Sequence, residues 1–414
     1  MKKVCLLLIV ALTLSFTGCR SINKSTASYN LSKPRKGQSQ IHWDLSMVYR
    51  LDDSDLEKKT FEHRIQVEDV NITYQYGLES QAQCIAYKTN ELILAIEDSI
   101  GMDIFYRVDM FLLRTDQFPQ DYKMNFKTDP NTFIMPLFVT PDNDSCQAII
   151  SNNLIYHNLL MHELAEMSLI FHNNGGTILP DGQINFLFIK ITAVNYTRWF
   201  REGLANYAGY LAFLNIRSYV EEKYPYNRWG LFDKPFSSLY KVKTKIFKWH
   251  QYSKSNLNND YYNATLGIFL LLTDHFGQDA VKELMTEIKK NDYLDGKDLI
   301  NTINNTFDTN LKQLINDFHF PQPGMKTQRL TKAVILNENL EPSQGLFIKD
   351  LADNSLAEKA GILKKDVITE INGKVIKNNL DFELALYEAL KTNSAKLTIW
   401  RKDTGYLSVN LPLE

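Results

Sequence analysis

The sequence has only four cysteines in 414 residues, too few for a disulfide framework. Its formal net charge is −2, so no basic excess marks nucleic acid or an anionic membrane surface as the main partner. Beyond the first nineteen residues, no apolar run is long enough to cross a bilayer. With 18 glycines and 12 prolines, the chain is neither collagen-like nor of low complexity. What remains is an ordinary globular composition at a length that suits two or three domains.

The N-terminus stands apart. Lys2 and Lys3 precede an apolar run from Val4 to Phe16, too short to span a membrane and typical of a signal-peptide core. The run ends in "LSFTGC", which resembles the lipobox of bacterial lipoproteins. That resemblance implies cleavage before Cys19, lipidation of Cys19, and a membrane-anchored protein facing the exported side of the bacterial cell envelope. Cys5 would leave with the signal. Cys84 and Cys146 remain, in a compartment that permits a disulfide; two buried thiols are the alternative.

Composition and punctuation divide the chain further. Residues 1–18 read as signal and 19–40, rich in Ser, Asn and Lys, as a flexible tether. Residues 41–150 alternate strand and helix signals. "VNITYQY" and "RVDMFLLRT" read as strands, and "TFIMPLFVTPD" as an edge strand because Pro136 cannot donate to a ladder. "SQAQCIAYKTNELILAIEDSIG" reads as a helix capped by Ser80 and Gly101. Residues 151–325 are mainly helical, with Asn152 or Asn153 expected to cap the first helix. Residues 326–414 return to strands, with Asn372-Gly373 as a hairpin turn. The fold class expected is α+β.

The chemistry concentrates in "LLMHELAEMSL", Leu159 to Leu169. Residues four apart share a helix face, so His162 and Glu166 point the same way, as two ligands of one ion must. Glu163 is turned by about 100°, where a general base acting on a water at the ion belongs. A solvated polar stripe is the plainer alternative, but the flanking leucines and Ile170 share that sector. Carboxylates among them need a cation, a hydrogen-bond network or raised pKa values.

A second motif, "WFREGLANY", runs from Trp199 to Tyr207. Together the two motifs resemble the gluzincin metallopeptidases, which pair H-E-x-x-H with a glutamate on a later helix. The resemblance implies a zincin-like mixed sheet beside a helical subdomain. It also implies zinc, or another divalent metal, held by His162, Glu166 and Glu202, with Glu163 as base and Asn206 in support. Tyr261 or Tyr262 would stabilise the oxyanion. This chain departs from the family at Glu166, where a histidine is usual. A second carboxylate neutralises more of the ion's charge and acidifies a bound water less. His157 and His172 are alternative ligands, each better read as an ordinary surface or core histidine.

"GLFIKDLADNSLAEKAGILKKDVITEINGKVI" closely resembles a bacterial PDZ domain. The resemblance implies that Gly345, Leu346, Phe347 and Ile348 bind an extended or C-terminal peptide beside the helix Leu380–Leu390. The other possibility is a PDZ fold that only packs against the body. A gluzincin-like body followed by PDZ is similar in layout to the glycyl aminopeptidase family. The expectation is a lipid-anchored metallopeptidase with a peptide or protein substrate. A non-catalytic peptide-binding protein on the same fold is the alternative.

Overall fold

The alternating pattern of "VNITY" forms a strand, β2 (Val70–Tyr74), all five of whose residues are buried. This computed structural model describes residues 63–68, 70–102, 107–114, 132–139, 145–152, 160–162, 164–166, 197–219, 233–251, 258–290 and 296–413. All of them lie in one unit, 36–414. Cys19, Asn153, His157, Glu163 and His172, and the expected tether, lie outside the described residues.

β2 pairs antiparallel with β1 (His63–Val67) and parallel with β3 (Arg107–Arg114), which pairs parallel with β4 (Thr132–Val139). The order is β1-β2-β3-β4. The parallel β2–β3 pair needs a crossover, supplied by α1 (Glu79–Ile100). Pro136 sits on β4, outermost among the described strands on that side, where a missing N–H is tolerated.

α1 buries Ala82, Ile85, Ala86, Thr89, Leu92, Ile93, Ile96 and Ile100, the three-to-four-residue spacing of a single face. It ends at Gly101, whose φ of 66° is left-handed and whose N–H bonds to the Glu97 carbonyl, as the sequence predicts. Its start differs. Leu78 takes the cap position without a side-chain bond, and Ser80 lies inside the first turn, bonded to Gln81. The turn at Tyr76-Gly77 brings the chain into the helix before Ser80. Cys84 on α1 forms a disulfide with Cys146, the first residue of α2 (Cys146–Asn152). Asn152 is the last residue of α2, and the start of the motif helix lies outside the described residues.

The helical part contains α3 (Arg198–Tyr219), α4 (Pro235–Val242), a 3₁₀ turn (Ile246–Gln251), α5 (Asn258–Phe276), α6 (Ala280–Ile288), α7 (Gly296–Phe307) and α8 (Leu311–Asp317). α5 packs against both α3 and α4. Among the described residues, no helix is long and apolar enough to cross a membrane.

The C-terminal sheet runs β10-β9-β7-β6-β5, with β8 beside β7. Its strands are β5 (Met325–Arg329), β6 (Leu346–Leu351), β7 (Val367–Ile371), β8 (Lys374–Val375), β9 (Ser394–Arg401) and β10 (Gly405–Pro412). Three helices accompany them: α9 (Lys332–Glu338), α10 (Leu356–Lys359) and α11 (Asn379–Leu390). Asn372 and Gly373 turn β7 into β8 with φ of 50° and 78°, the positive values a two-residue hairpin loop requires. One apolar core runs from Val70 and Ile96 through Phe269 to Ile399. The fold class is α+β, with mixed helices and sheets and a β-rich C-terminal part.

Candidate metal centre

His162 and Glu166 stand four residues apart on helical chain and are both about 7% exposed. Glu202 comes from α3, whose neighbouring Trp199, Phe200 and Leu204 are buried in the core. That anchoring turns Glu202, only 5% exposed, inward. Gly203 is needed for close helix contact: a Cβ there would lie 2.6 Å from the Phe269 ring on α5. The glycine of the E-G-L-A motif thus sets the distance between α3 and α5.

The three side chains converge. His162 Nε2 lies 3.5 Å from Glu202 Oε2 and 4.0 Å from Glu166 Oε2. One ligand atom from each residue lies within 4.8 Å of the other two. Ligands of a tetrahedral zinc with bonds of about 2.0–2.1 Å stand about 3.3 Å apart, so the donor set fits a small divalent ion after slight contraction.

Each carboxylate divides its oxygens. Glu166 turns Oε2 toward His162, while Oε1 meets Arg201 Nε at 2.6 Å. This approach is a charge contact, because the Nε–H direction misses hydrogen-bond alignment. Glu202 turns Oε2 toward His162, while Oε1 accepts from Arg198 Nε at 3.4 Å. Burial pushes the Glu202 carboxyl up, but the hydrogen bond and charge of His162, with the Arg201 and Arg198 guanidiniums, hold it below the usual carboxylate value. Leaving His162 aside, two carboxylates and two guanidiniums balance formally.

Tyr262 on α5 completes this side of the cluster. Its hydroxyl oxygen accepts from Arg198 Nη2 at 2.8 Å. Burial and the nearby Glu202 push its pKa up to about 12, so it keeps its proton for donation. Arg198 is braced from below by Trp249, 4.3 Å from the ring centroid. Tyr261 is placed differently. It is fully buried and stacks on Trp249 at 5.7 Å and 10°, because adjacent helix residues diverge by about 100°. Of the two tyrosines, Tyr262 faces the cluster. Asn206 makes its bonds to none of the three converging side chains: it donates to the Tyr262 carbonyl at 2.7 Å and to Thr265 Oγ1 at 3.0 Å. It holds α5, and with it Tyr262, against α3.

Arg198 and Arg201 escaped the sequence reading. The spacing held a signal, since Arg198 stands four residues before Glu202 and such pairs meet on a helix.

The peptide-binding assignment on β6 requires correction. Leu346, Phe347 and Ile348 pair with Arg329, Gln328 and Thr327 of β5, and Leu346 and Phe347 also pair with Ile368 and Val367 of β7. A strand hydrogen-bonded on both sides cannot accept a third. Gly345, with φ of 137°, serves the β7 contact, where a Cβ would fall 2.7 Å from the Ile368 carbonyl oxygen. Among the described strands, β5 is outermost on that side, and α11 packs against it. The short polar "MKTQR" gave no strand signal; pairing with β6 makes it one.

A family model of the PDZ domain matches residues 294–412. The C-terminal part of the chain is a PDZ domain. A probable periplasmic serine endoprotease DegP-like of Brucella suis is 31% identical over 80 residues, 19% of this chain and 16% of that protein. The serine protease Do-like HtrB of Bacillus subtilis is 43% identical over 56 residues, 14% of this chain and 12% of that one. The chain thus spans about a sixth or less of the length of these curated relatives. Among solved structures, the HtrA3 PDZ domain bound to a phage-derived ligand is 21% identical. The match covers 23% of this chain and 85% of that one, with a TM-score of 0.20. An aminopeptidase N family protein from Idiomarina loihiensis is 13% identical over 85% of this chain and 66% of that one, with a TM-score of 0.34.

Proposed function

We propose that the chain is a lipid-anchored, gluzincin-like metallopeptidase of the bacterial cell envelope whose PDZ domain engages peptide. The observation that carries the metal reading is the aim of three buried donors. His162 Nε2, Glu166 Oε2 and Glu202 Oε2 face one another while the outer carboxylate oxygens are held by arginines. A divalent ion bound there, zinc first, would polarise a peptide carbonyl and acidify water. Glu163 would take the proton of the attacking water and pass it to the leaving amine. Tyr262, kept neutral and fixed by Arg198, would donate to the developing oxyanion. Peptide recognition is supported by the PDZ match.

A second reading rests on Arg201 and Arg198. With two guanidiniums against two carboxylates, the cluster is balanced without an ion, which suits a non-catalytic peptide-binding protein on a peptidase scaffold. Metal analysis separates the two. The purified chain, supplemented with zinc or manganese and then desalted, should retain about one equivalent, and Glu202→Gln should lose it. Glu163→Gln should keep the metal and lose peptide hydrolysis. No retained metal in the unmutated chain sinks the enzyme reading. The anchor is tested by labelled fatty acid, whose incorporation should vanish in Cys19→Ala.

A further inference from the structure

Helix α11 turns one sector both to β5 and to the helical subdomain. Asn379 Oδ1 accepts a hydrogen bond from Thr327 Oγ1 of β5 at 3.1 Å. Glu383 and Tyr387 follow at four-residue steps, on the same side of the helix. Both meet the first turn of α4. Glu383 Oε2 accepts from the backbone N–H groups of Phe236 at 2.8 Å and Ser237 at 3.1 Å, and Oε1 accepts from Ser237 Oγ. Tyr387 stacks on Phe236 at 4.1 Å and 15°. Its hydroxyl donates to Asp274 of α5 at 2.8 Å, and Lys391 donates to the same carboxylate at 2.9 Å.

Phe236 is 1% exposed. Phe320 and Phe318, on the chain leading into β5, close around it at 5.8 and 6.0 Å. At the far end of β5, Arg329 lies in the field of Asp233. Asp233, just before α4, and Phe236, in its first turn, therefore lie along β5 in the order opposite to its own. This is the polarity of a peptide added antiparallel to an exposed edge, but side chains of a helical turn and not a paired strand occupy the place. A guest strand in that sense ends beside Pro321–Gly324. Pro321 and Pro323 have no N–H to offer a terminal carboxylate, so this groove suits an internal segment. Glu383, only 4% exposed, gains three donors from the segment, and a carboxylate so deeply placed is costly without them.

We propose that Asp233–Ser237 is the resident occupant of the peptide groove between β5 and α11, so that the PDZ domain is closed in cis and takes a peptide in trans only when Phe236 withdraws. This rests on the reading of that groove as a peptide site. The occupant is tied to the candidate centre through α5. A Cβ at Gly267 would lie 2.6 Å from the Pro235 carbonyl oxygen, and the same helix carries Tyr262.

The test uses the purified chain and a fluorescent, C-terminally amidated peptide copying residues 230–241, "GLFDKPFSSLYK", read by anisotropy. Phe236→Ala should bind it at least tenfold more tightly than the unmutated chain, and a peptide with alanine at the Phe236 position should not bind. Ser237→Ala, which keeps the aromatic anchor and leaves Glu383 free to accept from the serine of the probe, should give an intermediate gain and serves if Phe236→Ala does not fold. Equal, measurable binding by unmutated and mutated chains overturns the closure while leaving the groove a peptide site. No binding by any folded variant overturns the groove itself and the closure with it.

Discussion

Replacing Arg201 by methionine separates a self-balanced cluster from one awaiting an ion. Arg201 Nε sits 2.6 Å from Glu166 Oε1, with side chains 16% and 9% exposed. Methionine matches the apolar stem but not the charge. In chelator it leaves a buried carboxylate without its nearest cation, and losing one partner of a buried pair costs about 3–5 kcal/mol. The chain should therefore unfold at clearly lower denaturant, with an unchanged slope. Zinc at about one hundred times its dissociation constant should restore about 2.7 kcal/mol, because the ion takes over the charge Arg201 supplied. The assay is chemical denaturation of both forms, with chelator and across a zinc series. A loss below about 1 kcal/mol in chelator would show that Arg201 does not hold Glu166. A full loss with no response to zinc or manganese would leave the arginine as the partner of Glu166 and remove the ion from the account.

Three further outcomes follow from the same structure. Replacing Cys84 and Cys146 by alanine opens a link between residues 62 apart, which loop entropy values at about 4 kcal/mol; reductant should lower the melting temperature of the unmutated chain alone. Gly203→Ala forces a methyl to within 2.6 Å of the Phe269 ring, so it should cost about 1–3 kcal/mol by overpacking; an unchanged melting temperature would contradict the close α3–α5 contact. The pH dependence is set by Glu383, which burial raises to about 7 against the hydrogen bonds of Ser237 and Phe236 and the charge of Lys234. Asp233 is likewise raised to about 6 by burial against Lys234 and Arg329, and Arg329 also feels Asp381. Both acids bind protons more tightly in the folded chain, so stability is greatest below their unfolded values near 4. It should fall as pH rises toward about 7, by about 3 kcal/mol for Glu383, then level off; titration of stability in Glu383→Gln should lose that share.

Much of the secondary structure was legible because it is locally encoded. The apolar spacing of α1 and the glycine at 101 state a helix length, and Asn372-Gly373 states a hairpin. The pairing of His162 with Glu166 follows from helical period alone. What was hidden depends on contacts remote in sequence. "MKTQR" carries no strand pattern, yet β6 recruits it as β5, and this moves the free edge away from Gly345–Ile348. The choice between Tyr261 and Tyr262 turns on Trp249, which captures one ring face-on and leaves the next residue to Arg198. Phe236 is an ordinary apolar residue in a helix; its place among Phe318, Phe320 and Tyr387 is set only when the PDZ domain folds back on α4.

The glutamate at 166 gains a physical context from the arginine at 201. A histidine at that position would be neutral and would need no counter-charge, whereas a buried carboxylate does. Arg201 supplies it through Oε1 and leaves Oε2 facing His162, so a glutamate at 166 differs in charge from a histidine there while its second oxygen still faces His162. The same division recurs at Glu202 with Arg198, and Arg198 in turn fixes the Tyr262 hydroxyl. An ion entering this centre meets two carboxylates already shared with guanidiniums. Its binding should therefore be weaker than the donor count implies, and should strengthen when either arginine is neutralised while Oε2 stays in place. Arg201→Met is then expected to lower stability in chelator and raise metal affinity together, a pair of opposite signs that a purely structural ion pair would not produce.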